Sequence, residues 1–232
     1  MYFDPVLAWN SLPFLLTATA RTLSVLIPVL ILGAILAVYL AVIRVENRKG
    51  SGFIAVYVNF FRGVPSLVVL YMIYSGLPQF SVIRDTWLWT IFSQAYLCAL
   101  MGLTLTHSAY MTEIVRGGLA VVPKGLTEAS AVLGLSERQT FFRLRLPLAI
   151  RYSLRAYQNE ILIMIKSTAA LSAITIVDLT AAANSIFDYT YDPFTPLLTA
   201  AAIYWCLTNM VRLLFSTVDK NLNRHLIAHI NS

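Results

Sequence analysis

The stretch PKGLTEASAVLGLSERQTFFRLRLP, residues 123–147, holds the most informative local pattern in the chain. Pro123 suits the first turn of a helix, and Gly134 suits the left-handed residue that ends one. Ser136, followed three residues later by Gln139, has the spacing of a capping box at the start of a second helix. The segment, about 117–146 with its flanks, is therefore predicted to form a helix, a sharp turn and a second helix.

The sequence on both sides of this segment is strongly apolar. The chain has 232 residues, of which 58% are hydrophobic and 12% are charged. Soluble domains contain about 45–50% apolar and about 25% charged residues. So few charged side chains cannot cover a water-exposed surface, which excludes a soluble enzyme. The composition predicts an all-α integral membrane protein, with a single domain over residues 1–232.

Five apolar stretches are close to or above the ~18 residues that a membrane-spanning helix needs. They cover residues 22–43, 63–83, 86–112, 156–177 and 194–211, and only Glu160 and Lys166 interrupt the fourth. Segment 123–147 lies between the third and fourth stretches. Five spans would place the two termini on opposite sides of the membrane.

Lysine and arginine predict which side is which, because they are retained in short cytoplasmic loops. The basic residues are concentrated after spans one, three and five: Arg44, Arg48, Lys49; Arg116, Lys124, Arg138, Arg143, Arg145, Arg151; Arg212, Lys220, Arg224. The N-terminus is therefore expected outside the cytoplasm, and the C-terminus and segment 123–147 inside it. The same distribution explains the net charge of +6 without a nucleic acid partner.

The first helix of the segment, residues 123–133, has a partly apolar face. Helical spacing places Leu126, Ser130 and Leu133 on one stripe, which would display a small apolar surface in the cytoplasm. This pattern fits a helix that docks on a partner protein and a helix that lies on lipid equally well.

Glu128-Ala129-Ser130, then Gly134 and Leu146-Pro147, resemble the Glu-Ala-Ala loop of permease subunits in binding-protein-dependent ABC importers. Matches over nearly the whole chain make it similar to the polar amino acid permeases. The segments Asn159-Glu160-Ile161-Leu162-Ile163-Met164 and Tyr191-Asp192-Pro193-Phe194 favour the histidine, arginine and opine branch. The other matches are Phe60-Phe61-Arg62-Gly63-Val64-Pro65, Tyr74-Ser75-Gly76-Leu77-Pro78, Ser108-Ala109-Tyr110-Met111-Thr112-Glu113-Ile114, Arg116-Gly117-Gly118 and Lys166-Ser167-Thr168.

The resemblance implies a MetI-like permease fold in a bacterial inner membrane, with a periplasmic N-terminus and a cytoplasmic C-terminus. It also implies the partners: two ATP-binding cassette subunits, a second permease subunit, a periplasmic solute-binding protein and the surrounding lipid. The chain would carry out no covalent chemistry and would need no cofactor or metal. Lys166-Ser167 follows Ile-Leu-Ile-Met-Ile, which lacks the glycines of a phosphate-binding loop, so ATP would be hydrolysed by the partner.

Transmission of the ATPase movement is predicted to involve Glu128, Ala129, Ser130 and Gly134. Glu128 could pair with a basic group of the partner or simply stabilise the helix N-terminus. A side chain at Gly134, for example in Gly134→Asp, is expected to uncouple ATP hydrolysis from transport. Ser130 replaces the alanine usual in the family, and it is expected to be a harmless, nearly isosteric change.

The fourth span is predicted to line the transport pathway. Charged groups inside a membrane are costly and are functional candidates by default. Two rows spaced by seven lie on one wedge of the helix: Tyr152, Asn159 and Lys166, and Ser153, Glu160 and Ser167. Glu160 suits the cation of a basic amino acid, and Asn159 suits the ligand's backbone groups. An internal ion pair between Glu160 and a Lys or Arg is the structural alternative.

The predicted pathway also contains Arg62, Ser108 and Thr168. Arg62, beside a helix kink at Pro65, could meet a ligand carboxylate, a lipid phosphate or a structural partner. Ser108 is also explained by close helix packing. His107, its neighbour, points about 100° away, so no nucleophile–base pair is predicted and His107 is given no role. Glu113 and Arg116 are predicted to form a local ion pair.

Two other classes of protein remain as alternatives. A stand-alone secondary amino acid transporter usually has an internal repeat, and none is evident. A membrane enzyme would need a buried nucleophile–base or metal constellation, which the sequence does not contain.

Overall fold

A computed structural model of the protein describes residues 2–45 and 50–228, with side chains up to residue 220. The described elements are helices, which confirms the all-α fold class. They are α1 (Pro5–Val45), α2 (Ser51–Gly63), α3 (Ser66–Tyr71), α4 (Ser81–Arg84), α5 (Trp89–Phe92), α6 (Ala95–Val121), α7 (Lys124–Val132), α8 (Glu137–Thr140), α9 (Leu146–Ser167), α10 (Leu179–Thr190) and α11 (Phe194–Ala228). A π-helical turn, Met72–Gly76, and a 3-10 turn, Leu77–Gln79, extend α3. A π-helical turn, Phe141–Arg145, joins α8 to α9, and a 3-10 segment, Thr168–Ile174, follows α9.

The membrane-spanning part differs from five simple spans. Pro5–Val45 and Phe194–Lys220 are each long and apolar enough to cross a membrane, and two bent helix pairs also qualify when each pair is counted as one span. The predicted third span corresponds to α6, whose 27 residues are about 40 Å long. α1 has 41 residues, about 60 Å, so it extends well beyond predicted stretch 22–43.

The predicted second span, 63–83, is not one kinked helix but a complete break. α2 begins at Ser51 and ends at Gly63, α3 begins at Ser66, and the chain direction bends by 106° from one helix to the next. Pro65 occupies the residue before α3, where its fixed φ and missing N–H are tolerated. The break leaves Val64 and Pro65 as irregular backbone between the two helices.

The predicted third and fourth spans are displaced along the chain. Residues 86–94 contain only the short helix α5, and α6 runs from Ala95 past Arg116 to Val121. α9 begins at Leu146, ten residues before the predicted start, and ends at Ser167. Hydropathy alone marks the apolar portion of such helices, whereas these helices continue through their charged ends.

Two helices were not predicted: α2, which shares only Gly63 with the predicted stretch 63–83, and α10. α10 lies in the connection between predicted spans four and five, where Asp178 accepts hydrogen bonds from the backbone N–H groups of Thr180 (3.1 Å) and Ala181 (3.0 Å). This is an N-cap, and Ala182 and Ala183 bury the helix against α1 and α11.

α6 is the central helix of the bundle, with α1, α2, α3 and α9 packed around it. Two glycines allow the closest approaches. A Cβ at Gly33 of α1 would stand 2.5 Å from His107 Cδ2 on α6. A Cβ at Gly118 of α6 would overlap Ser153 Oγ and the backbone O of Ala149 on α9. α6 is therefore in close contact with α1 at Gly33 and with α9 at Gly118.

Of the basic residues used to predict orientation, Arg48 and Lys49 lie outside the described residues, and the side chain of Arg224 does too.

Candidate functional site

Segment 123–147 has the predicted helix–turn–helix form. α7 runs from Lys124 to Val132, so Pro123 precedes the helix instead of lying in its first turn. Gly134 has φ +76°, as predicted for a left-handed stop. The N–H of Gly134 bonds the O of Ala131 (3.0 Å), and the N–H of Leu135 bonds the O of Ser130 (3.0 Å). These two bonds form a Schellman motif, which makes the turn a defined structure.

The second helix begins at the predicted capping box. The backbone N–H of Ser136 donates to Gln139 Oε1 (2.9 Å), and the N–H of Gln139 donates to Ser136 Oγ (3.3 Å). α8 then continues without interruption through the π-helical turn into α9. α8, the π-helical turn and the fourth span therefore form one continuous helical run.

The exposed face of α7 differs from the predicted stripe. Ser130 is buried, with 2% of its surface exposed, whereas Val132 and Leu133 are 88% and 79% exposed. Leu126 is also exposed, as are Glu128 and Ala129. The prediction that Ser130 lies on an exposed stripe with Leu126 was wrong. It rested on helical spacing alone, which does not show that Ser130 is buried against α8.

Ser130 is not simply a substitute for alanine. Its hydroxyl lies 2.9 Å from Thr140 Oγ1 on α8 and donates to the O of Thr127 at 2.7 Å. The contact with Thr140 ties α7 to the start of the next helix. The buried hydroxyl is therefore paired within the loop, and the expectation that the change from alanine is harmless stays a prediction.

An ion group lies beneath this loop. Glu113 pairs with Arg116 (2.9 Å), as predicted, and also with Arg44 at the end of α1. Arg44 and Arg116 line a cavity that α7 also contributes to, so the ends of α1, α6 and α7 meet at the base of the bundle.

A second cavity, of about 240 Å³, lies at the break between α2 and α3. It is smaller than the ~300 Å³ at which sites for drug-sized ligands begin, and this size is compatible with a ligand such as a free amino acid. The break, α6 and α9 each contribute lining residues: Arg62, Gly63, Val64, Pro65 and Ser66; Thr106 and Tyr110; Glu160, Ile163, Met164 and Ser167. One cation and one carboxylate therefore share the cavity.

Tyr110 holds the cationic side of this cavity. Its hydroxyl donates to the backbone O of Arg62 (3.0 Å), and the Arg62 guanidinium carbon stands 5.4 Å from the centre of its ring. Arg62 itself is exposed and has no carboxylate partner among the described residues. Such a guanidinium remains available to an incoming anion.

Glu160 forms the acidic side, and its internal partner is neither Lys nor Arg. Glu160 is 3% exposed, and its Oε1 lies 3.2 Å from Nδ1 of His107, which is fully buried. Sequence reasoning missed His107 because 53 residues separate the pair. The rule that selected Glu160 would also have selected His107, because an ionisable residue inside an apolar span is a functional candidate.

The two rows predicted on the fourth span separate in the structure. Ser153 and Glu160 are buried, whereas Tyr152, Asn159 and Lys166 are exposed on another face. Asn159 does not line the Glu160 cavity. Lys166 lines a groove between α9 and α11 instead, together with Arg212. Asn159 and Lys166 stay predictions for a face that the single chain leaves uncovered.

Ser108 and Thr168 make hydrogen bonds inside the chain. Ser108 is fully buried, 2.6 Å from the hydroxyl of Tyr57 and 3.0 Å from the O of Leu105. Thr168 is also fully buried and donates to the O of Ile165 at 2.6 Å. These bonds agree with the packing interpretation of Ser108, and the cavity reaches neither residue.

Residues 9–224 match the protein family described as the binding-protein-dependent transport system inner membrane component. The chain is 38% identical over 223 residues to the octopine transport system permease protein OccM of Rhizobium meliloti, covering 96% of this chain and 91% of that protein. It is 35% identical over 227 residues to the histidine/lysine/arginine/ornithine transport system permease protein HisM of Escherichia coli (strain K12), covering 97% and 94%.

Solved structures agree with this family. A chain of an amino acid ABC transporter with histidines superposes with a TM-score of 0.82 at 28% identity, covering 95% of this chain and 100% of that one. An inward-facing MetNI methionine ABC transporter chain gives 0.72 at 21% identity, covering 90% and 96%, which supports the fold alone. The chain therefore belongs to the family of inner membrane components of binding-protein-dependent transport systems, and its relatives are permease subunits of amino acid and opine transport systems.

Proposed function

We propose that this permease subunit transports a basic amino acid or a related opine across the bacterial inner membrane by ATP-driven alternating access. The observation that carries the proposal is the cavity in which Arg62 and Glu160 both lie at the break between α2 and α3. The names of the relatives, which are transport systems for octopine and for histidine, lysine, arginine and ornithine, support this class of ligand.

The chemistry of the cavity is complementary to an amino acid with a cationic side chain. The carboxylate of Glu160 suits an ammonium or guanidinium group, and the guanidinium of Arg62 suits a carboxylate, which it can bind through two parallel hydrogen bonds. The break at Val64 and Pro65, next to Gly63, places non-helical backbone at the same cavity, as discontinuous helices do in transporters.

The remaining parts of the machine would be separate subunits. Two ATP-binding cassette subunits would hydrolyse ATP. The exposed face of α7 would bind to them through Glu128, Ala129, Val132 and Leu133. A second permease subunit, identical or homologous, would cover the exposed polar face of α9, and a periplasmic solute-binding protein would deliver the ligand. The N-terminus would be periplasmic and the C-terminus cytoplasmic, and this chain would perform no covalent chemistry.

Purification of the assembled complex tests this function. We expect ATPase subunits to co-purify with the chain, and a receptor loaded with arginine or octopine to stimulate ATP hydrolysis above the rate with an empty receptor. Uptake by the isolated chain without ATPase would instead support the alternative, a stand-alone secondary transporter. No stimulation by any basic amino acid or opine would contradict the proposed ligand class.

Neutralising the carboxylate in the cavity should weaken ligand binding specifically. For Glu160→Gln we expect the Kd for radiolabelled arginine, measured on the receptor-free complex in nanodiscs, to rise about 10- to 100-fold. A hydrogen bond to a charged group contributes about 1.5–3 kcal/mol, which corresponds to that range. Asp188→Asn, an exposed change of the same type on α10, is the control and should leave the Kd unaltered. An unaltered Kd in Glu160→Gln would exclude Glu160 from the binding site.

A further inference from the structure

We infer that His107 is a positioning residue for ligand binding, because it holds one carboxylate oxygen of Glu160 and leaves the other for the ligand. This inference rests on the proposed function and names a residue that neither the sequence patterns nor the comparisons assign. It depends on the geometry of three helices, α1, α6 and α9.

The contact between the two side chains fixes the carboxylate. Nδ1 of His107 lies 3.2 Å from Oε1 of Glu160, and the two side chains are 0% and 3% exposed. In the proposed arrangement Nδ1 carries the ring proton and donates a hydrogen bond to Oε1 of the carboxylate, which accepts it. Oε2 has no protein partner among the described residues, while Glu160 lines the cavity that also contains Arg62. Oε2 is therefore the atom available to a cationic ligand.

The imidazole is itself held in place by packing. Gly33 on α1 faces it so closely that a Cβ would stand 2.5 Å from Cδ2. The Tyr157 ring lies 6.3 Å away, measured between ring centres. A ring enclosed in this way cannot turn to another rotamer without moving α1, so its hydrogen bond to Glu160 keeps one direction.

Burial of the His107 ring carries an energetic cost at its second nitrogen, Nε2. Nε2 of His107 is buried and has no hydrogen-bond partner among the described residues. Unpaired polar atoms in a protein interior are rare, and each one calls for an explanation. Orientation of Glu160 supplies an explanation, since an apolar residue at position 107 would remove both the unpaired nitrogen and the bond that fixes the carboxylate.

A held carboxylate binds its ligand more tightly than a mobile one. Immobilising a flexible side chain on binding costs roughly 0.5–1.5 kcal/mol, and a donor that has already ordered the side chain removes this cost. Loss of the donor should therefore weaken arginine binding by about 3- to 10-fold.

Three substitutions separate positioning from packing. In His107→Asn the side-chain nitrogen can occupy the place of Nδ1, in His107→Gln the place of Nε2, and in His107→Leu there is no donor. We expect the Kd for radiolabelled arginine, measured on the receptor-free complex in nanodiscs, to stay within about 3-fold of the parent for His107→Asn. For His107→Gln and His107→Leu we expect it to rise about 3- to 10-fold.

The Glu160→Gln background provides the decisive control. There, His107→Leu should produce no further loss, because no carboxylate remains to be oriented. Equal Kd values for His107→Asn, His107→Gln and the parent would overturn the inference, and so would a loss of ATPase activity and yield with no change in Kd. If His107→Leu does not assemble, the comparison of Asn with Gln still decides. A parent complex that binds no arginine would instead refute the proposed function, and the role of His107 with it.

Discussion

Gly118→Ala is expected to lower the yield and the thermal stability of the folded permease, whereas Gly117→Ala, one residue away, should leave stability unchanged or raise it. A Cβ at Gly118 overlaps the backbone O of Ala149 and Ser153 Oγ, so α6 and α9 must move apart. Ser153 also donates to the O of Ile114 (3.0 Å), and this bond would be displaced. Overpacking of this kind costs about 1–3 kcal/mol.

Gly117 is a matched control because nothing lies within 4 Å of a Cβ built there. Replacing a helical glycine by alanine in open space stabilises the helix by up to about 1 kcal/mol. Gly118→Ala should therefore lower the unfolding temperature, whereas Gly117→Ala should leave it unchanged or raise it, as measured by intrinsic fluorescence in detergent. Equal unfolding temperatures would show that α6 and α9 are farther apart at this point.

Gly134→Val is expected to abolish ATP-driven uptake while the complex still assembles and hydrolyses ATP. Gly134 has φ +76°, and a β-branched residue rarely adopts that conformation. The substitution would break the Schellman bonds to Ala131 and Ser130 and change the direction in which α8 leaves the turn. The exposed face of α7 would then be held at a different angle to the span that carries Glu160.

Gly134→Asn provides the comparison, because asparagine adopts the left-handed conformation far more readily than valine. We expect this variant to retain most of its uptake, with the ratio of ATP hydrolysed to ligand transported close to that of the parent. Uptake and that ratio, measured together in proteoliposomes, separate uncoupling from loss of assembly. Full uptake by a correctly assembled Gly134→Val complex would show that the turn does not transmit movement.

The turn could be predicted from sequence because its determinants are local. Gly134, Ser136 and Gln139 act within five residues of one another, and the structure has the left-handed stop and both bonds of the capping box. The buried contact between Ser130 and Thr140 spans ten residues and two helices, and spacing alone did not reveal it. Local sequence signals were enough to predict the bend. The exposed face of α7 depends instead on the tertiary contact between Ser130 and Thr140.

The boundaries of the spans were less predictable for a different reason. Hydropathy identifies the portion of a helix that lies in lipid, whereas α1 and α9 extend beyond that portion through charged residues. Pro65 was recognised, but whether a proline kinks a helix or ends it depends on what else packs there. The α10 helix was missed because its cap, Asp178, lies next to a predicted span and resembled a loop carboxylate.

The candidate site could be predicted only in part. Arg62 and Glu160 were both selected from sequence, and the structure brings them to one cavity. Their supporting residues come from other helices: Tyr110 beside Arg62, and His107 beside Glu160. No periodic pattern within one helix can reveal such pairs, because they depend on how α6 lies against α2 and α9.

In the proposed mechanism, the uninterrupted run from Glu137 through α9 would act as a lever arm between the turn and Glu160. Glu160 lies 23 residues along it from Glu137, or about 35 Å at the rise of an α-helix. If the base tilts by roughly 5°, simple trigonometry with that rise displaces Glu160 by about 3 Å, the length of a hydrogen bond. A small movement of the ATP-binding cassette subunits would therefore be enough to make or break the contact between Glu160 and the transported molecule.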